Sequence, residues 1–275
     1  MKVYWNGSIV EDYEVNISPW DLGFLRGFGV FDYFAVYRKK PFMIEAHFAR
    51  LMASAKILSI PVPVSRDSFI EIVTELIHEN NLTDCYIRVI LTGGVSSDGM
   101  TRDGASTFLI RPEVVKPVDM KPYEMGANLI TIEHMRSTPE AKTTHYAEAL
   151  KNANRLIEEN AIEILFTHNG HVFECSRSNI FIVHDGVLIT PRDSILRGIT
   201  RSVVLEEAER RAIKTHECAV LETELTEADE VFITGTGKGV VPIVRINQTL
   251  VSGGVPGTIT KTLMKHVGER RKEHA

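Results

Sequence analysis

Hydrophobic and polar positions change period several times along this chain. VYWNGSIV breaks at Asn6-Gly7, which predicts a hairpin. VFDYFAVYR, rich in aromatic and β-branched residues, predicts a strand. Phe48, Leu51, Met52, Ala55 and Leu58 recur at helical spacing, and Phe69, Ile72, Val73, Leu76 and Ile77 repeat the pattern. CYIRVILTGG and STFLIRP predict two more strands. The first 115 residues therefore read as a small α+β domain of hairpins and two helices.

The stretch PEVVKPVDMKP, residues 112–122, holds three prolines and several charges and suits a connection, with the linker proper at 116–122. Residues 123–275 read as a larger second domain, rich in strands. ANLITIEHM predicts a strand, and EAKTTHYAEAL opens a helix from about His145 to Asn160, with Thr143 and Thr144 placed to cap it and Lys142 at its entrance. IEILFTHNGHVFECS and NIFIVHDGVLIT predict hairpins turning at Asn169-Gly170 and Asp185-Gly186. GITRSVVLEEAERRAI predicts a helix burying Val204, Leu205, Ala208 and Ala212. EVFITGTGKGVVPIVRI predicts strand, glycine loop, strand, and a polar helix ends the chain. The fold class is mixed α+β and α/β, in two domains.

Composition narrows the function without naming it. A 44% hydrophobic, 24% charged chain of 275 residues is that of a globular protein with sizeable cores. The net charge of −5 gives no electrostatic reason to expect nucleic acid. No apolar run approaches the ~20 residues of a membrane helix, and MKVYWNGSIVED lacks the apolar core of a signal peptide. Three widely spaced cysteines, Cys85, Cys175 and Cys218, fit a reducing compartment, so a cytoplasmic location is expected. No metal site is expected: His168 and His171 bracket a turn without acidic or cysteine company.

Candidate chemistry centres on Lys142 and Glu174. A lysine is a useful nucleophile when desolvated or set beside another cation, and otherwise is a solvated surface group. Glu174, between Phe173 and Cys175, is either a solvent-facing strand residue or a carboxylate set against a protonated ring nitrogen. Gly198, Ile199 and Thr200 open a helix, whose free N–H groups suit a phosphate. TGTGKG, residues 234–239, follows a strand and offers a second anion nest around Thr236 and Gly237, though it is neither a Walker loop nor a dinucleotide fingerprint. Arg50 lies opposite the apolar stripe of its helix, either solvated or aimed at an anion.

In chain order, YWNG, HFARLMASAKIL, EAKTTHY, FECSRSNIFIV, LITPRDSILRGITRSVV and EVFITGTGKGVVPI resemble the class IV, fold type IV pyridoxal-phosphate enzymes. That family includes branched-chain and D-amino acid transaminases and aminodeoxychorismate lyases. The resemblance implies pyridoxal 5'-phosphate as cofactor, a homodimer, and amino acid and 2-oxo acid substrates exchanged in ping-pong order. It implies Lys142 as the Schiff-base lysine and Glu174 as partner of the ring nitrogen. It likewise implies Arg50, Ile199, Thr200 and Thr236 as the phosphate cup, and Tyr146 near the phenolic oxygen. Gly237 is counted with the substrate-binding residues. Two arginines, Arg26 and Arg177, are candidates to clamp the substrate α-carboxylate, Arg26 from the partner subunit; both are equally readable as surface or ion-paired residues. The FEG of branched-chain enzymes is Phe31-Asp32-Tyr33 here, and Gly93 stands where the familiar D-amino acid transaminases carry an arginine. A D-amino acid transaminase with a different carboxylate clamp is therefore expected first, a branched-chain L-amino acid transaminase second, and the lyase as the competitor from another reaction class.

Overall fold

The computed structural model describes residues 1–273. They divide into two compact units: residues 1–116 with 141–145 and 271–273, and residues 117–140 with 146–270. The short stretch that carries Lys142 thus groups with the N-terminal unit.

The first unit is a six-stranded antiparallel sheet with helices on one face. Its strands are β1 (Lys2–Trp5), β2 (Ser8–Glu11), β3 (Gly29–Tyr37), β4 (Lys40–Pro41), β5 (Cys85–Thr92) and β6 (Thr107–Val114), in the order β2-β1-β6-β5-β3-β4. A short helix α1 (Leu22–Arg26) precedes β3, and α2 (Ile44–Ile57) and α3 (Arg66–Glu79) follow β4. Burial along β5 alternates residue by residue, so Cys85, Ile87, Val89 and Leu91 face the core while Tyr86, Arg88, Ile90 and Thr92 line the other face. Phe48, Leu51, Phe69, Val73 and Leu76 close the core from the helices, at the helical spacing expected. Pro112, expected in the connection, lies in β6 opposite Ile87. It is tolerated there because β1 pairs with β6 only at Leu109 and Ile110, so the missing N–H breaks no ladder.

The second unit is a mixed ten-stranded sheet. Its strands are β7 (Ala127–Glu133), β8 (Glu163–His168), β9 (His171–Cys175), β10 (Asn179–His184), β11 (Val187–Pro191), β12 (Thr215–Cys218), β13 (Val220–Leu221), β14 (Glu230–Gly235), β15 (Gly239–Ile246) and β16 (Thr249–Leu250). The order is β12-β11-β10-β14-β15-β7-β8-β9-β13, with β16 beside β15. The remaining helices are α4 (Lys121–Met125), α5 (Ala147–Lys151), α6 (Ala153–Glu158), α7 (Ile199–Glu209), α8 (Glu222–Glu227) and α9 (Thr258–Glu273), the last three residues of α9 being grouped with the first unit. The Asn-Gly and Asp-Gly turns fall as expected, each with both residues at positive φ: Asn6 and Gly7, Asn169 and Gly170, Asp185 and Gly186. Both oxygens of Glu230 accept from the first turn of α9, from Ile259 N–H at 2.9 Å and Thr260 N–H at 2.6 Å, and so anchor that helix.

Two helical expectations need correction. The helix expected at 145–160 is two short ones, broken at Asn152, whose side-chain amide donates to the Glu148 carbonyl at 2.9 Å. That is the acceptor a continuing helix would have used. Thr143 and Thr144 cap nothing; Tyr146 is the N-cap of α5. In α7 the buried face is Val203, Val204, Glu207 and Ala208, while Leu205 is only half-buried and Ala212, past the helix end, is exposed.

One carboxylate sits on the core face of the first sheet. Asp32, on the same face of β3 as Val30 and Phe34, is 1% exposed. It meets two residues of α2: His47 Nδ1 at 2.7 Å, and Arg50, whose Nε and Nη2 donate to its two oxygens at 2.9 and 2.8 Å. Burial alone would raise the acid's pKa, but Arg50 and His47 outweigh it and hold the carboxyl well below the usual range. Burial also lowers His47, against the pull of Asp32. A group depressed in the folded state stabilises fully above its unfolded pKa of about 3.9 and loses that contribution as pH falls toward the lower folded value. Asp32→Asn, which leaves Arg50 without its partner, is expected to cost about 3–5 kcal/mol at pH 7. Denaturant unfolding of both proteins at pH 7 and pH 3 checks this; the gap should narrow at pH 3, and an unchanged gap would contradict the assignment.

Candidate active site

Lys142 is neither at a helix entrance nor left to solvent. Residues 142–144 run along the outer edge of β3, beyond the end that β4 occupies: Phe31 N–H donates to the Lys142 carbonyl at 2.9 Å and Thr144 N–H to the Gly29 carbonyl at 3.0 Å. Thr144 Oγ1 donates to the Gly27 carbonyl at 2.8 Å, and Lys142 N–H donates to Ser54 Oγ, a fully buried hydroxyl of α2, at 3.1 Å. With its backbone held on both sides, Lys142 lays its ammonium 4.5 Å from the centre of the Phe31 ring. Its charge adds to the forces that lower His47. Beyond Phe31 the same sheet face carries Tyr33 stacked on Tyr86 at 5.0 Å, with the Arg88 guanidinium 4.6 Å over Tyr33 and paired twice to Glu113.

Arg50 is not solvated. Two of its nitrogens are committed to Asp32, and its side chain is 12% exposed. Arg26, in the last turn of α1, is exposed, and its Nε donates to the Gly99 carbonyl at 3.1 Å.

In the second unit Glu174 is 5% exposed near the end of β9. Arg136 Nη1 donates to its Oε1 at 2.7 Å, and Leu196 N–H to its Oε2 at 3.0 Å, so the carboxylate is fixed at both oxygens. Arg136 also donates to the Pro139 carbonyl at 3.2 Å. Spacing in the sequence gives no sign of this arginine. Tyr146 is half-buried, and burial raises its phenol above the ordinary value.

Ile199 and Thr200 begin α7, whose N-cap Gly198 offers no side-chain cap, so the first N–H groups of the helix are available to an anion. A side chain at 198 would push on Asn179, because a Cβ there would lie 2.2 Å from its Oδ1. Thr236 and Gly237 lie at the tip of the β14–β15 hairpin, between Gly235 and Gly239, which pair across it. Gly237 is exposed. Arg177, also exposed, follows Glu174 by three residues; its Nη2 reaches the Ile162 carbonyl at 3.5 Å, and its N–H donates to Glu163.

Glu163 itself is fully buried at the head of β8, receives Ser178 Oγ at 2.9 Å and is ion-paired with Lys238. Burial would raise this acid, but Lys238 and Arg177 hold it below the ordinary value. A glutamate before an apolar strand gave no reason to single it out. Among the described residues no group of three or more His, Cys, Asp or Glu could hold a metal ion, and no helix is long and apolar enough to cross a membrane.

The second unit's donor set fits a phosphorylated pyridine cofactor. It supplies an immobilised carboxylate at Glu174 and a helix start without a side-chain cap at Gly198, groups of the kinds that suit a ring nitrogen and a phosphate.

Comparison with known proteins points the same way. Residues 29–246 match the family model for class IV amino-transferases. A Methanocaldococcus jannaschii protein provisionally named a branched-chain-amino-acid aminotransferase is 35% identical, over 96% of this chain and 94% of its own. A D-alanine aminotransferase of Listeria monocytogenes is 32% identical, over 98% and 96%. The crystal structure of a T.th. branched-chain amino acid aminotransferase with pyridoxamine 5'-phosphate superposes with a TM-score of 0.92 at 25% identity, covering 100% of this chain and 95% of that one. The chain belongs to the class IV aminotransferases, fold type IV enzymes whose cofactor is pyridoxal 5'-phosphate.

Proposed function

We propose that this enzyme moves the amino group of a D-amino acid to a 2-oxo acid, with Lys142 as its catalytic base and acid. When bound, the cofactor supplies an aldehyde that takes up amines and a ring that accepts the electrons released at the substrate Cα. In this reading the Lys142 amine would hold the resting cofactor, be freed when the substrate amine takes its place, and then carry the Cα proton to the carbon on the far side of the substrate nitrogen. The observation that carries this role is the pinned backbone of residues 142–144, which fixes the lysine stem at the Phe31 ring.

Glu174 faces the ring nitrogen, its position kept by Arg136 and Leu196 N–H. The N–H groups of Ile199 and Thr200, together with Thr236, hold the phosphate; Arg50, expected in the same role, is paired with Asp32. Tyr146 approaches the phenolic oxygen. Each half-reaction leaves the cofactor in a form that only the other half-reaction restores, which is ping-pong kinetics.

The D-amino acid reading is supported by the Listeria D-alanine aminotransferase, a relative over nearly its whole length. In this reading Arg26 and Arg177, both exposed, offer guanidinium forks for the α-carboxylate, with Arg26 acting on a partner subunit of a homodimer. The second reading is a branched-chain L-amino acid transaminase, favoured by the high similarity to enzymes of that name. Shared fold does not choose between them. Three unpaired thiols accord with a cytoplasmic setting.

Three results test this. Borohydride treatment followed by peptide mapping is expected to leave the pyridoxyl group on Lys142, and Lys142→Ala to abolish both the label and turnover. Single half-reactions with D- and L-alanine, D- and L-glutamate and D- and L-leucine, followed by the cofactor's absorbance, should proceed with the D-enantiomers; conversion of L-leucine alone would establish the second reading. Release of pyruvate from aminodeoxychorismate, with no half-reaction for any amino acid, would make the enzyme a lyase. Arg26→Ala and Arg177→Ala should each raise KM for the amino acid about ten- to a hundredfold with cofactor still bound; unchanged kinetics in both would remove the clamp.

A further inference from the structure

The hairpin tip that carries Thr236 is flanked by glycines, Gly235, Gly237 and Gly239, with Gly239 at φ +70°. Such a loop, left alone, has much conformational freedom to lose when it closes on a ligand. Here it is tied down at three points. Tyr123 Oη, from α4, donates to the Lys238 carbonyl at 2.9 Å. Gly235 pairs with Gly239 across the base of the hairpin and lies close to the turn after β9 that carries Ser178.

The third tie is the Lys238 side chain. A lysine in a glycine loop invites the expectation of a direct phosphate ligand, yet this one turns back and pairs with Glu163, whose side chain is 0% exposed. Glu163 in turn accepts Ser178 Oγ at 2.9 Å and Arg177 N–H. One buried carboxylate therefore joins the glycine loop to the turn that follows Glu174.

We propose that Lys238, acting through Glu163, is a positioning residue that holds the 234–239 loop in shape for the cofactor's phosphate. The proposal rests on the reading that Thr236 serves that phosphate. Lys238 touches neither phosphate nor reacting atoms; it lowers the ordering needed when the anion binds. The loop's grip should therefore depend on the strut for a phosphorylated ligand and not for the same ring without phosphate.

The test compares binding of pyridoxal 5'-phosphate and of unphosphorylated pyridoxal to the apoenzyme, followed by absorbance, with thermal unfolding alongside. Lys238→Met alone would leave Glu163 buried without its cation. The informative variant is the double replacement Glu163→Gln with Lys238→Met, in which the amide oxygen at 163 can still accept from Arg177 N–H while its NH2 donates to Ser178 Oγ. It is expected to weaken pyridoxal 5'-phosphate binding by roughly tenfold or more, to leave pyridoxal binding unchanged, and to make inorganic phosphate a poorer competitor. Lys238→Arg should restore most of the affinity.

Equal losses for both ligands would mark the pair as merely structural and overturn the proposal, as would wild-type affinity for both. Thr236→Val separates the two layers. If it weakens phosphate-dependent binding while the double variant does not, the strut alone falls. If Thr236→Val has no effect, the reading of the loop falls and the strut with it.

Discussion

The position of one amine depends on two backbone hydrogen bonds. By pairing with Phe31 N–H and the Gly29 carbonyl, residues 142–144 become a fragment of strand on the edge of β3 rather than a flexible approach to α5. Buried Ser54 adds a third restraint from α2. A lysine side chain has four rotatable carbons' worth of freedom, and fixing its base is the simplest way to narrow where its nitrogen can reach. The aromatic ring beneath the ammonium then favours one resting place among those left. Catalysis by proton transfer needs that narrowing before it needs any particular pKa.

A second regularity runs through both units. Three of the buried carboxylates, Asp32, Glu163 and Glu174, share one arrangement. Each pairs with an arginine or lysine, Arg50, Lys238 and Arg136 respectively (Asp32 with His47 as well), and each also accepts a backbone N–H, from Tyr33, Arg177 and Leu196. An isolated buried anion would be untenable, so each acid dictates where its cation and its loop must be. The carboxylate thereby becomes a joint: Asp32 fixes α2 against β3, Glu174 fixes the loop before α7, and Glu163 fixes two loops at once. A fold that carries many substrate specificities on one scaffold can vary the exposed arginines while keeping such joints.

Some of this was legible in the residues. The alternation of β5, the helical spacing of α2 and α3 and the three turns with glycine in second place follow from local sterics and from which side chains water rejects. The ordered blocks around Lys142, Glu174, Gly198 and Thr236 were enough for the family resemblance. Less legible was anything that depends on a partner far away in the chain. Asp32 reads as a blemish in an apolar strand until His47 and Arg50 arrive from α2. Arg136 and Lys238 look like ordinary surface cations until buried acids claim them. The break at Asn152 turns on one side-chain amide outcompeting a backbone one.

The sequence by itself determined the principal strands and helices, the glycine turns and the family of this protein, because those depend on neighbours within a few residues and on motif order; it did not determine the split of the helix after Tyr146. Only the tertiary structure decided that Lys142 rides on a strand edge, that Arg50 answers to Asp32, and that Lys238 turns away from solvent toward Glu163. Those outcomes are set by desolvation: a charge seeks its counterion only once folding has taken it out of water, and which counterion is within reach is a property of the packed chain, not of its order.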